Sequence, residues 1–448
     1  MSKFIRIKKG LDLKIKGAVE NIVSQCPVIT EIAVCPADFP GFIPKIEVEE
    51  GENVMSGQAL MHHKSDEAIK LVAPVAGTVK AVVRGERRRI ERVVIECAKS
   101  DAFKEFVLPA KAGANECRSF LKETGLWAMM RQRPYDIVPD GAAVPRDIFV
   151  TGVDSAPLAI SQLDYVEDAD KAKALEVGVH LLAAITPGRV YVSRRPDSIA
   201  DIKGAEMVDV AGPHPSGNAG VLIANTAPVN KGDTVWTLSI MTLYRIGKTI
   251  LTGRFMADSP VAITGPEAVN PSVVNFKIGA ALSGFLTPYI KEDGTHKRII
   301  SGNVLTGIKV STDDYLRYPY SQITIIREGD DIDEFMGWAS ISPKKMSTNR
   351  SFPGHFLFKK LFSPDARLNG SRRALIMSGE YERYMPMDIP SEYLLKAIMG
   401  RDIEKMEELG IYEVAPEDFA LGEYADTSKL EAQKIVREGL DYLRKELE

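Results

Sequence analysis

What the sequence is short of narrows the reading first. It has four cysteines in 448 residues, Cys26, Cys35, Cys97 and Cys117, with no C-x-x-C pair among them. Zinc and iron–sulfur sites need thiolates or imidazoles at close spacing, and the six histidines do not gather around these cysteines. The expectation is buried free thiols and no metal. His62 and His63 are neighbours, but neighbours on a strand point to opposite faces. Basic residues are in slight deficit, 57 Lys and Arg against 61 Asp and Glu for a net charge of -4, so nothing global points to nucleic acid. No run of about 18 predominantly apolar residues is present to cross a bilayer. The N-terminus, MSKFIRIKKGLDLKIKG, alternates basic and apolar residues at strand period and lacks the apolar core and cleavage site of a signal peptide. The expectation is a peripheral protein with no transmembrane helix, in the cytoplasm or on the cytoplasmic face of a membrane through partners.

What is present is a folded composition, 45% hydrophobic and 26% charged, in a chain long enough for two to four packed units. Residues 1–100 carry short β-forming runs (KIEVEEGENV, QALMHH, AIKLVAP, GTVKAVV, ERVVIECA) separated by Gly, Pro or charge. The turn RGERRRIER at 84–92 is either a solvated hairpin tip or a docking patch for an acidic partner or anionic headgroups. From Arg146 the rhythm becomes strand–helix–strand, through RDIFVTG, EDADKAKALEVGVHLLAAI, RVYVS and MVDV, which predicts a mainly parallel sheet with a ligand-binding edge. The run 234–251 is β-rich yet long enough for a helix. After Gly253 the pattern predicts a small β domain around one helix. The region beyond Arg350 is loop-like, then helical. One helix is predicted to close at Gly410, and a last one to open with Ser428 and Glu431 as a capping box. Val436, Leu440, Leu443 and Leu447 then fall on one apolar face.

Two segments resemble emptied cofactor frames. GENVMSGQALMHHKSDEAIKLVAPVAGTVKAV, residues 51–82, has the layout of a biotin- or lipoyl-carrying hairpin. Counting back about eight residues from Pro74 lands on Asp66 rather than a lysine, with Lys64 and Lys70 displaced, so an unmodified frame is expected. GPHPSGNAG at 212–220 has the small residues of a phosphate-binding turn. Pro213 and Pro215 remove backbone donors where a cradle needs them, leaving a structural turn and a ligand loop both open.

A family resemblance rests on GLWAMMRQRPYDIVP (125–139), FVTGVDSAPLA (149–159), GPHPSGNAG, RIISGNVLTG (298–307), MGWASISPKKMSTNRSF (336–352) and NGSRRALIMSGEYERYMPMDIP (369–390). Over nearly its whole length the chain resembles the A subunit of the sodium-translocating NADH:quinone oxidoreductases. The block at 369–390 is the most specific, because its charged positions have no periodic explanation. The resemblance implies a multidomain α/β fold related to the flavoprotein subunit of respiratory complex I and the C subunit of the Rnf complex. Its parts would be a biotinyl/lipoyl-like β domain (1–110), a Rossmann-like α/β domain (111–254), a β-grasp, SLBB-like domain (255–335) and a C-terminal loop and helical region (336–448). It further implies a complex that oxidises NADH, reduces quinone to quinol and exports Na+. Subunits B, D and E in the membrane, with C and F, would be partners holding FMN, FAD, Fe–S and NADH. This chain would bind quinone as substrate and hold no tightly or covalently bound cofactor. Against the flavin-binding relatives, the Gly-rich loop is replaced by TGLWAMMRQRPY; against its own family, EDFALGEYADTSK (417–429) lacks the cysteines many members carry near this point.

A quinone needs an apolar slot and donors for its two carbonyl oxygens. Trp127, Met129 and Met130 can wall a ring, and Arg131, Arg133 and Tyr135 can donate, so this stretch is the candidate quinone site. The bland alternative is a core stripe, with arginines that only tie two domains together. Glu380, Glu382, Arg383 and Asp388 form either a docking surface for partner subunits or an internal ion-pair network. Beside the quinone-binding reading stand three rivals: an FMN- or NADH-binding flavoprotein, a carrier modified on Lys64, and a pure scaffold.

Overall fold

The computed structural model describes residues 3–23, 28–99, 101–196, 198–332, 342–348, 352–357 and 360–447. Cys26 and much of the run 336–352 lie outside the described residues. The first strands are β1 (Lys3–Arg6), β2 (Asn21–Val23), β3 (Glu31–Val34), β4 (Pro44–Ile46), β5 (Asn53–Val54), β6 (Ala59–His63), β7 (Asp66–Val72), β8 (Gly77–Arg84) and β9 (Ile90–Cys97). Two antiparallel sheets, ordered β3-β9-β8-β5 and β4-β6-β7, close on one core that includes Leu60, Met61, Ile69, Leu71, Val79, Val93 and Ile95. The Arg-rich segment is the β8–β9 hairpin tip, and Arg92 leaves it to pair with Asp314 at 3.3 Å.

The second unit runs α1 (Ala114–Glu123), β10 (Arg131–Arg133), β11 (Ile148–Thr151), α2 (Lys171–Ala184), β12 (Val190–Arg194), β13 (Glu206–Ala211), α3 (Ala219–Thr226), β14 (Val235–Ser239) and α4 (Ile240–Thr252). Its sheet is ordered β1-β13-β12-β11-β14-β10, parallel throughout except for β10. The ambiguous run 234–251 is thus both elements. Ser239 ends the strand and caps the helix, its Oγ accepting from Thr242 N at 3.2 Å, as an N-cap serine does. Side chains alternate across the sheet with period two. Ile148, Val150, Val190, Val192, Trp236 and Leu238 join the core shared with α2, α4 and the first unit. Phe149, Tyr191, Val208 and Val235 join the one shared with α3 and the C-terminal helices.

The third unit holds β15 (Asp258–Thr264), β16 (Ser272–Lys277), β17 (Lys297–Ser301), β18 (Ile308–Val310) and β19 (Gln322–Arg327), in the order β18-β17-β19-β15-β16-β2. The helix expected inside it is absent among the described residues; only a short 3-10 turn, Thr287–Tyr289, interrupts the strands. Gly265, Gly279 and Gly284 all take positive φ in this stretch, which breaks any continuous helical run. Nor is the expected 1–110 unit self-contained. β1 completes the α/β sheet and β2 completes the third sheet, so the N-terminal arm ties the other units together.

The last region comprises α5 (Glu380–Tyr384), α6 (Ser391–Met399), α7 (Ile403–Glu408), α8 (Ala420–Ala425) and α9 (Ala432–Leu447). The helix predicted over 391–410 is two, broken where Arg401 takes a positive φ and Asp402 caps α7. Ser428 and Glu431 do not form the predicted capping box. Ser428 Oγ accepts from Ile376 N at 3.4 Å and Glu431 pairs with Arg372 at 2.9 Å. Val436, Leu440 and Leu443 are buried, whereas Leu447 is exposed. No helix among the described residues is long and apolar enough to cross a membrane.

Candidate functional site

The three units meet at a narrow apolar cleft. The first unit contributes the loop after β3, where Pro36–Asp38 make a 3-10 turn that delivers Asp38 and Phe39, and the end of β7 contributes Leu71 and Val72. Met129, between α1 and β10, forms one wall, and Phe255, Ile278, Leu316 and Tyr318 close the other side. Gly279 allows the approach. Its φ is +76°, and a Cβ there would sit 2.2 Å from Ala33 O, so only glycine lets this backbone reach β3.

Phe39 and Tyr318 are stacked, with ring centroids 5.2 Å apart and planes at 13°. Beneath them Asp38 accepts from Arg317 Nε at 2.8 Å and from Tyr318 N at 3.1 Å. Burial raises the Asp38 carboxyl above its ordinary range while Arg317 pulls it back down. Burial, with Asp38 nearby, pushes the Cys35 thiol up to about 12. That thiol is protonated and unreactive at neutral pH. Cys97 and Cys117 are raised too, burial being the first cause in both. The Tyr318 hydroxyl donates to Met129 O at 3.1 Å and lies 3.4 Å from Thr242 Oγ1. Tyr318 also lines a second, smaller cavity, which shares Ile278, Gly279 and Leu316 with the first.

The six residues singled out from the sequence as a quinone site do not converge on one cavity. Trp127 and Met130 are fully buried. Trp127 packs edge-on against Trp236 at 4.8 Å and donates through Nε1 to Pro139 O at 2.9 Å. Their neighbour Met129 does reach the cleft. Arg131 stands beside it, donating to Asp38 O at 2.9 Å. Arg133 and Tyr135 lie on the far side of the sheet. Arg133 faces Asp136, Glu417 and Asp418 at 3.6, 3.5 and 3.5 Å, and Tyr135 O accepts from Arg437 at 2.6 Å. Sequence reading missed Phe39, Asp38, Tyr318 and Leu316. RYPYS at 317–321 offers aromatics and an arginine, but no periodicity sets it apart.

The second candidate set divides as well. Glu382 Oε1 accepts from Glu392 N at 2.9 Å and Glu392 Oε1 from Glu380 N at 3.1 Å, holding α5 to α6. Arg383 and Asp388 are exposed. The tip of the β6–β7 hairpin is Lys64–Ser65, two residues before the position counted from Pro74. Lys64 is exposed there, while Asp66 is tied down to Lys122 at 2.7 Å. The GPHPSGNAG turn is closed by protein groups: Ser155 Oγ accepts from Gly217 N at 2.8 Å and lies 3.1 Å from His214 Nδ1. No cluster of metal-ligating side chains occurs among the described residues.

Three family models match the chain: the NqrA N-terminal barrel-sandwich hybrid domain over residues 5–98, the NqrA second alpha/beta domain over 112–255, and the NQRA C-terminal domain (SLBB) over 260–312. Curated relatives match from end to end. The A subunit of the Na(+)-translocating NADH-quinone reductase of Neisseria meningitidis serogroup A is 33% identical over 450 residues, 99% of this chain and 100% of that protein. Its counterparts from Pasteurella multocida and Serratia proteamaculans are each 34% identical at the same coverage. A crystal structure of a NAD+-reducing nickel–iron hydrogenase overlaps 41% of each chain at 13% identity, with a TM-score of 0.31, a likeness too slight to carry weight.

Proposed function

This chain belongs to the NqrA family, the A subunits of the Na(+)-translocating NADH-quinone reductases, and on that premise we propose that its own contribution is to bind quinone in the cleft where the three units meet. As one component of a membrane respiratory complex it works beside the other subunits of that enzyme. In this reading those partners are subunits B, C, D, E and F, which carry the flavins, the iron–sulfur centre and the NADH site, and this chain sits peripherally on the cytoplasmic side.

The observation that carries the reading is the cleft itself. Its walls are apolar, with the stacked Phe39–Tyr318 pair on one side and Met129, Leu71 and Leu316 around it, as a planar ring and an apolar tail require. The Cys35 thiol, held protonated, offers no competing nucleophile. The finer fold assignments belong to the same proposal. The β6–β7 hairpin supports an unmodified biotinyl/lipoyl-like frame, the order β13-β12-β11-β14 a Rossmann-like one, and the mixed third sheet a β-grasp. Exposed Arg383 and Asp388 remain the docking residues of choice, whereas Glu380 and Glu382 brace α5 and α6.

The test is equilibrium binding of a short-chain 1,4-benzoquinone to the full chain, with Phe39→Ala as the variant. Loss of one stacked ring is worth about 1 kcal/mol, so affinity should fall about fivefold. An unaltered dissociation constant in a folded variant removes the cleft from consideration. One observation favours a second reading: Lys64 stands exposed at the hairpin tip. Intact mass of the purified chain decides it, since a biotinyl or lipoyl group adds a fixed increment.

A further inference from the structure

Arg245 is 3% exposed and lines the second cavity, beside Ser239 and Tyr318. A guanidinium keeps its charge at any physiological pH, and a buried charge without a counter-ion is costly to the fold. Arg245 has no ion-pair partner among the described residues. Its one described acceptor is Asp258 O, at 3.2 Å, and its Nε meets none. The Asp258 carboxylate is occupied by Lys277 at 2.6 Å. Among the described residues no carboxylate lines this cavity.

Two further features make the same place electropositive and ligand-facing. α4 is thirteen residues long and its N-cap, Ser239, lines the cavity, so the positive end of the helix dipole lies beside it. Ser239 also ends β14, and β14 and β11 flank the point where the strand order reverses in the parallel sheet, β13-β12-β11-β14. Crevices at the carboxyl ends of strands at such a point are where open α/β sheets bind ligands.

We propose that Arg245 is the polar anchor of the three-unit cleft, donating through Nε to a carbonyl oxygen of a quinone whose ring lies against Tyr318. This rests on the quinone reading above and adds an orientation to it. The oxygen-bearing head faces Arg245 and the start of α4, and the tail runs back past Leu316 and Phe39 into the larger apolar cavity. Arg245 is then a binding residue whose unmet hydrogen bond is completed by the ligand.

The experiment compares two probes on the full chain, a short-chain 1,4-benzoquinone and the alkylbenzene with the same tail and no carbonyls, using the unaltered chain, Arg245→Met and Arg245→Lys. A hydrogen bond to a charged group is lost in Arg245→Met, so quinone affinity should fall about 10–100-fold while alkylbenzene affinity stays within about twofold. Arg245→Lys keeps the charge but moves the donor, and should weaken the quinone alone, by a smaller factor; it carries the test if the Met variant does not fold. Equal weakening of both probes overturns the proposal, because the arginine would then only shape the cleft. So does quinone binding that ignores both substitutions. Displacement of the quinone by inorganic phosphate, dependent on Arg245, also overturns it, by assigning the subsite to a phosphoryl group. If the unaltered chain prefers neither probe and binds neither, the quinone reading itself has failed.

Discussion

Replacing Arg133 by methionine should loosen the C-terminal region and leave the cleft alone. The Arg133 side chain is 2% exposed and faces Asp418, 1% exposed, across 3.5 Å, with Asp136 and Glu417 at 3.6 and 3.5 Å. Asp418 also accepts from Ala415 N at 2.9 Å and Asn218 Nδ2 at 3.2 Å. Burial raises its carboxyl, and Arg133 is the leading group holding it down. Arg133→Met keeps most of the volume but strands a buried carboxylate, a change that costs about 3–5 kcal/mol. Arg133→Met with Asp418→Asn removes the stranded charge and should recover about 1–3 kcal/mol of that loss, a coupling expected for groups in direct contact. Urea unfolding gives the stability difference, and hydrogen exchange should show the extra opening concentrated in 411–425. Quinone affinity should stay within about twofold, since Arg133 lies across the sheet from the cleft. A single variant within about 1 kcal/mol of the unaltered chain, or a double variant no better than the single, refutes the electrostatic account. A folded variant that loses quinone returns Arg133 to the binding site.

Two further effects follow from buried groups of other kinds. His214 is 4% exposed, and burial depresses its pKa from 6.5 to about 4. The unfolded chain therefore binds this proton more readily than the folded one. The stability involved, about 3 kcal/mol at most, is fully present above pH 6.5 and is lost as pH falls to about 4. His214→Gln should flatten the stability profile between those values, and an unchanged slope there would sink the assignment. Gly247 on α4 faces α2 so closely that a Cβ would sit 1.7 Å from Ala174 O. Gly247→Ala should force the helices apart and cost about 3 kcal/mol or more, read as a fall in Tm; a variant as stable as the parent would mean the crossing is wider than described.

Much of the fold was legible because it is written in local periods. The short alternating runs of residues 45–97, the strand–helix alternation from Arg146 and the apolar face of α9 at Val436, Leu440 and Leu443 all came from spacing that packing then used. Local signals misled where two outcomes share a composition. Ser428 and Glu431 have capping-box spacing, yet Ser428 is drawn to Ile376 and Glu431 to Arg372. The predicted helix in the third unit fails at its positive-φ glycines. The candidate quinone segment had suitable residue types, but one short stretch crosses a sheet, so Met129 and Arg133 end on opposite sides of it.

From the sequence alone came the family, the lack of a long apolar run and the strand or helix character of many segments, since these depend on residue identity and short-range spacing. Tertiary structure alone decided the cleft. Asp38 and Tyr318 are 280 positions apart and meet at 3.1 Å, and Arg245 lacks a counter-ion among the described residues because of what packs around it. Whether a buried charge is paired is a property of three-dimensional neighbours, which no local period in a chain can encode.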